Sequence, residues 1–308
     1  MKATQKILSA LLASIFLFAC EDEIFPELEP AEPLLVIDAW INNKPETQVI
    51  RLTETQGYYN SNTPPAVENA SVAVVDENGK QYVFAYSGQN GEYTWTPNAT
   101  DSVFGQIGLT YQLTIGYGEE IYEAQSTMNR VPEIDSVTFE FESGDSFLPE
   151  GYLAEFFARD FVGVGDTYWI KTFKNGVLLN KPNEINIAFD GGFSAGGNVD
   201  GIYFIQPIRN ATNPFDVDEN DELLPSYLPG DSVYIEIYSI TNEAFIFLNE
   251  MRIQTDRPGG FAELFATPLS NVPTNIAYSE TAVPAVGYFN VSAVSANGKF
   301  LDPDNLPQ

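Results

Sequence analysis

The sequence predicts an all-β protein made of two consecutive β-sandwiches, the second carrying one helix. Three observations predict it. Short runs rich in β-branched and aromatic residues recur along the chain, turn-forming Asn, Gly and Pro separate them, and a single segment near 241–254 carries helical spacing. In the first sandwich, 34–131, the runs are Leu34 to Ile41, Thr47 to Thr53, Ala70 to Asp76, Gln81 to Tyr86, Gly91 to Trp95 and Thr110 to Tyr117. Asn78-Gly79 lies between two alternating strands, the strongest short-range hairpin signal in the chain. The proline-marked junction Val131-Pro132-Glu133 places the domain boundary near residue 132. A fresh alternation of Val137, Phe139 and Phe141 opens the second sandwich, 132–308. Its strands are expected at Thr167 to Lys174, Ile185 to Phe189, Gly201 to Pro207, Ser232 to Ile240 and Val286 to Val294. The helix follows from Ala244, Phe247, Leu248 and Met251 on one face, Thr241 as the capping residue, Glu243 in the first turn and Pro258-Gly259-Gly260 as the stop.

The N-terminus is read separately. Lys2 and Lys6 precede an apolar run, Ile7 to Phe18, too short to cross a bilayer as a helix, and Leu17-Phe18-Ala19-Cys20 ends it. That order resembles a bacterial lipoprotein signal, residues 1–19, cleaved before the chain's only cysteine so that Cys20 carries acyl chains such as palmitate. Several chains on one residue anchor firmly, since each buried methylene contributes about 0.8 kcal/mol. The alternative is an ordinary secretory signal with an incidental cysteine. Residues 20–33 then form an acidic, proline-rich tether. Glu21-Asp22-Glu23 resembles the export tag of surface lipoproteins of Bacteroidota, although a solvated linker would carry the same acids.

Composition narrows the chemistry. The 308 residues hold 43 Asp plus Glu against 14 Lys plus Arg, a formal charge of −29. Coulomb repulsion therefore argues against nucleic acid as a partner. The chain has no histidine, which removes the usual general base of Ser and Cys hydrolases and the commonest zinc ligand. Carboxylate chemistry and oxygen-only coordination of calcium or magnesium survive.

Four places could carry function. Asp216, Asp218, Asn220 and Glu222 put oxygen ligands at alternate positions, as a calcium loop does, but Asp221 stands where an EF-hand needs Gly and Tyr227 where it needs Glu. The loop reads either as a weak Ca2+ site or as a solvated acidic turn. Tyr58 and Tyr59, in a polar stretch, form either a ligand platform or ordinary loop packing. Phe193, in the glycine-rich run Asp190 to Asn198, is a partner contact if exposed and a loop anchor if buried. Trp40, Trp95 and Trp169 lie in strand-like runs and are expected in the core. Glu184 with Asp190, or Asp200 with Asp231, are the pairs a carboxylate-based glycan hydrolase could use; no catalytic residue is assigned.

The first sandwich resembles the immunoglobulin-like or prealbumin-like modules of secreted bacterial proteins. More specifically, the ordered motifs Leu35-Val36-Ile37-Asp38-Ala39, Ile134-Asp135-Ser136-Val137, Gly230-Asp231-Ser232-Val233, Asn275-Ile276 and Val286-Gly287-Tyr288-Phe289 resemble an uncharacterised lipoprotein family of Bacteroidota, domain of unknown function 4249. The resemblance implies the company of TonB-dependent outer-membrane receptors. The expectation is a non-catalytic, ligand-binding accessory of nutrient uptake, lipid-anchored at Cys20 and exposed on the cell surface. An adhesin or structural surface protein, stiffened by calcium, is the alternative.

Overall fold

A computed structural model describes residues 32–57, 59–145, 148–194, 199–279 and 282–307. Cys20 with the signal, most of the tether, and Tyr58 lie outside the described residues. Residues 33–308 form one compact unit, and it is mostly β.

The N-terminal half supplies β1 (Leu35–Asn42), β2 (Gln48–Glu54), β3 (Ser71–Asp76), β4 (Gln81–Tyr86), β5 (Glu92–Trp95), β6 (Thr110–Tyr117) and β7 (Glu120–Thr127). Next come β8 (Ile134–Glu142), β9 (Gly151–Ala158), β10 (Thr167–Lys174), β11 (Val177–Leu178), β12 (Asn186–Phe189), the short helix α1 (Gln206–Asn210), β13 (Ser232–Ile240), helix α2 (Asn242–Thr255), β14 (Ala277–Tyr278), β15 (Ala285–Ser292) and β16 (Val294–Phe300). Strict alternation explains the early strands: in β1 Leu35, Ile37, Ala39 and Ile41 face inward while Asp38 and Trp40 face out. The β3–β4 turn is the expected one. Gly79 takes φ +85° and the Asp76 carboxylate accepts from the amides of Asn78 and Lys80.

A nine-stranded sheet runs in the order β14-β7-β6-β3-β4-β5-β2-β1-β15. All its pairings are antiparallel except β1 with β15, which run parallel with Ile37 opposite Gly287 and Ala39 opposite Phe289. The sheet curls on itself, and side chains bridge the gap between β7 and β15. Asn275 Nδ2 donates to Phe289 O at 2.8 Å and Gln125 O at 3.3 Å, its Oδ1 accepts from Phe289 N, and Ser126 Oγ accepts from Val291 N at 3.0 Å. Inside lie Ile37, Ile50, Leu52, Val74, Ile115 and Phe289, with Phe104 packed on the rings of Tyr82, Trp95 and Tyr111.

A second sheet, β11-β10-β13-β16 with β12 also on β10, and the hairpin β8–β9 enclose a separate core around Phe156, Tyr168, Phe204, Tyr227 and Ile235. Helix α2 starts at Thr241, whose hydroxyl accepts from the Ala244 amide at 3.2 Å. Its buried Ala244 and Leu248, with Phe247 and Met251 beside them, pack on Ile187, Ile240, Tyr288, Trp40 and Trp169. This third cluster joins the outer face of the first sheet to the second.

Three features differ from expectation. The chain does change sheets near residue 132, but β14 and β15 return to the first sheet, so the two halves are interleaved instead of consecutive. Gly201 to Pro207 forms no strand: Tyr203 makes one isolated bridge with Arg159, and Gln206 and Pro207 already belong to the first turn of α1. Strands β7 and β16 carry more polar patterns than the runs read from sequence, and cross-strand pairing supplies what local propensity does not, whereas β9, apolar and aromatic along its length, is a strand the sequence reading did not name.

Candidate functional site

The two sheets meet at a shallow groove of about 270 Å³ lined by Asp38, Trp40, Val49, Arg51, Trp169 and Lys171. Period-two alternation puts the first four on the outer face of β1 and β2, with Asp38 directly opposite Arg51 in the ladder. Trp169 and Lys171, two apart on β10, point the same way from the second sheet. The tryptophan rings meet edge to face, with centroids 5.1 Å apart and planes at 71°. Trp40 is held from behind by Tyr288, stacked at 5.7 Å, and by Phe247 at 6.0 Å. Packing on three sides therefore fixes a rigid aromatic corner with one open side.

The charges are arranged unevenly. Lys171 Nζ sits 3.9 Å from the Trp169 ring centroid and 4.2 Å from that of Tyr238, a cation held by two aromatic faces. Its cross-strand neighbour Glu236, 2% exposed, is already engaged by Lys44 Nζ at 2.7 Å and the Tyr238 hydroxyl at 2.6 Å. Burial pushes the Lys171 amine down to about 8, with Lys44 adding to the fall and Glu236, Asp38 and Glu46 opposing it. The surrounding protein pushes the Asp38 carboxyl above its usual range against the pull of Arg51 and Lys171. A lysine held below its ordinary 10.5 weakens the fold while charged. Between about pH 8 and 10.5 the folded protein has released this proton and the unfolded chain has not, so stability rises with pH across that window. The expected result is that Lys171→Met exceeds wild type in urea midpoint at pH 7 and that this lead shrinks by pH 10.

The residues singled out from the sequence lie elsewhere. Asp216, Asp218, Asn220 and Glu222 do not converge on a cation position. Asp216 pairs with Lys181, and Asp218 turns its carboxylate onto the amides of Asn220 and Glu222 at 2.7 and 3.0 Å. The loop is closed by its own hydrogen bonds, which hold the Asp218 carboxyl below its usual range. Tyr59, 46% exposed, and Phe193, 50% exposed, are both open to solvent, and neither lines the groove. All three tryptophans are half buried: Trp95 packs against the first core, and Trp40 and Trp169 pack against the third cluster while also forming the groove wall. Nothing in the local pattern separated them from Trp95.

Among the described residues, the carboxylates that do gather are Asp160, Asp190 and Asp200, with one oxygen of each within 4.8 Å of the others. Asp190 Oδ1 accepts from the amides of Gly165 and Asp166, Asp200 Oδ1 from Gly163, and Asp160 from the Tyr168 hydroxyl at 2.7 Å. Burial pushes the Asp160 carboxyl up, opposed by the hydrogen bonds from Tyr168 and Gly201. Asp190 and Asp200 thus meet each other. Glu184 stays with the Lys181 amide, and Asp231 with Asn175 and the Leu228 amide. The cluster is tighter than the roughly 5 to 9.5 Å that glycosidase carboxylates keep, and it is the place where described residues could hold a divalent cation.

Residues 21–297 match the family model DUF4249, a domain of unknown function. The chain belongs to the DUF4249 family. Comparison with curated proteins gives no match. In this DUF4249 chain the short motifs converge on the frame that holds the groove. Leu35 to Ala39 pairs in parallel with Ala285 to Phe289, Asn275 bridges from Phe289 to β7, and Gly287 gives way to the backbone of Ile37. Gly230, at φ +97°, and Asp231, which accepts from the Leu228 amide, turn the chain into β13.

Proposed function

We propose that this DUF4249 protein is a lipoprotein of Bacteroidota, anchored at Cys20 on the outer-membrane surface, that binds a ligand without transforming it and presents it to a TonB-dependent receptor. The observation that carries the binding role is the groove between the sheets. A rigid tryptophan corner beside an ammonium and a guanidinium is a preformed recognition surface. The motif order Leu17 to Cys20 supports the anchor, and the acidic residues that follow support export to the surface. Mass spectrometry of the native N-terminal peptide should find Cys20 acylated. Purification from outer membranes in mild detergent should bring a TonB-dependent receptor with the protein. An unmodified thiol, or recovery without any receptor, would count heavily against this role.

The carboxylate cluster Asp160, Asp190 and Asp200 favours a second reading, an adhesin or structural surface protein stiffened by calcium. Receptor-free recovery together with a calcium-dependent rise in melting temperature would select it.

A further inference from the structure

We propose that the groove selects a carboxylated sugar, a pyranose acid whose carboxylate pairs with Lys171 and whose ring lies in the corner of Trp40 and Trp169. This rests on the binding role given above and names the ligand class of the same groove.

The first argument is charge. With 43 acids to 14 bases, most described cations on this protein have a carboxylate partner, and those without an ion pair are Arg159, Lys171, Arg252 and Lys299, of which Lys171 alone lines the groove. Lys44, Arg51, Lys80, Arg130, Lys174, Lys181, Arg209 and Arg257 each stand within 4.0 Å of one. Lys171, facing the groove, makes no such pair among the described residues. Asp38 and Glu236 are close enough to be felt, but Glu236 is occupied by Lys44 and Tyr238 and Asp38 belongs to the opposite wall. Three N–H donors on a half-buried ammonium are left for whatever enters. Arg51, which spends one nitrogen on Glu92 at 2.9 Å, adds a second cation across the groove. The groove lining itself holds two cations, Arg51 and Lys171, against one acid, Asp38, a local excess that an entering anion can use on a body of this net charge.

The second argument is shape and polarity. A volume of about 270 Å³ suits a single ring of a longer chain that continues into solvent through the open side. Aromatic walls accept the C–H face of a sugar, burying apolar area without a steric demand for planarity. Asp38 adds a carboxylate that accepts from hydroxyl groups, a feature wasted on a purely aromatic acid.

The charge argument has a pH signature. An entering carboxylate favours protonated Lys171, so binding takes up a proton near pH 8 and weakens above it.

The test uses the full, acylated chain in detergent, with tryptophan fluorescence read during titration of galacturonic acid oligomers, neutral galactose oligomers of equal length, and benzoate. The expected result is that the acidic oligomer binds at least about tenfold tighter than the neutral one, that affinity for the acidic oligomer falls between pH 7.5 and 9.5, and that Lys171→Met abolishes the preference. Trp169→Ala should weaken both sugars. Equal binding of acidic and neutral oligomers by wild type would overturn the role given to Lys171 and leave the groove as a sugar site. Benzoate binding in place of both sugars would overturn the ligand class. No titration with any of the three would overturn the class and remove the groove from the proposed function, while receptor co-purification would still stand by itself. The comparison of ligands on wild type decides the matter even if a variant folds poorly.

Discussion

Gly287→Ala is expected to destabilise the protein by on the order of 4 kcal/mol and to lower its melting temperature by roughly 10 °C. A Cβ at this position would lie 2.0 Å from the carbonyl oxygen of Ile37 and 2.7 Å from its carbon, so no rotamer change can relieve the clash. The φ of +104° adds a second cost, because an L side chain rarely occupies that conformation. Relief would require β15 to move away from β1, and among the described residues those eight register pairs are what returns the C-terminal third to the first sheet's ladder on that side. Trp40 and Asp38 stand on β1 and Tyr288 on β15, so the groove wall should loosen with the ladder. Thermal denaturation followed by circular dichroism checks the stability. Gly57→Ala is the control: it has nothing within 4 Å and should stay within about 0.5 kcal/mol of wild type. A Gly287→Ala melt that matches this control would show that the β1–β15 pairing is not as close as described.

Asn275→Ala is expected to cost about 3 kcal/mol. The side chain answers both backbone groups of Phe289, a fully buried residue, and reaches Gln125 on β7 as well. Alanine leaves an amide and a carbonyl of Phe289 without their side-chain partner at a partly buried site, the expensive way to lose a hydrogen bond. Asn275→Asp should recover little. It can still accept from the Phe289 amide, but it cannot donate to two carbonyls and would place a charge against them. Ser126→Ala removes the neighbouring contact to Val291 and should cost about 1 kcal/mol alone. Because both residues hold the same gap, the double variant should deviate from the sum of the singles. Urea midpoints give the energies. Amide hydrogen exchange gives the location, with Phe289 and Val291 losing protection before the amides of β3 and β6. Unchanged exchange at Phe289 in Asn275→Ala would refute the bridging role.

Much of the fold was legible from local signals. β4, β6, β10 and β13 fall where alternation placed them, the Asn78-Gly79 turn is formed, and α2 spans the capped segment with Ala244 and Leu248 buried. Each of these depends on residues within one element or its turn. The candidate site was not legible. Trp40 and Trp169 sit in strands whose patterns resemble that of Trp95, yet only the first two are brought edge to edge, by elements far apart in the chain. Conversely the acids from Asp216 to Glu222 looked like a ligand set because spacing alone was visible, while their hydrogen bonds to one another and to Lys181 were not.

The sequence by itself determined the β class, the turns, the capped helix, the histidine-free and strongly acidic chemistry, and membership of the family through motifs whose order could be read. Tertiary structure alone decided that β15 returns beside β1, that Asn275 fastens it to β7, and that Lys171 faces a groove without forming an ion pair among the described residues. Strand formation follows from period-two patterning of neighbouring residues. Which edges meet, and which charge is left without a partner, depends on pairing between segments separated by a hundred residues or more, and no local periodicity carries that information.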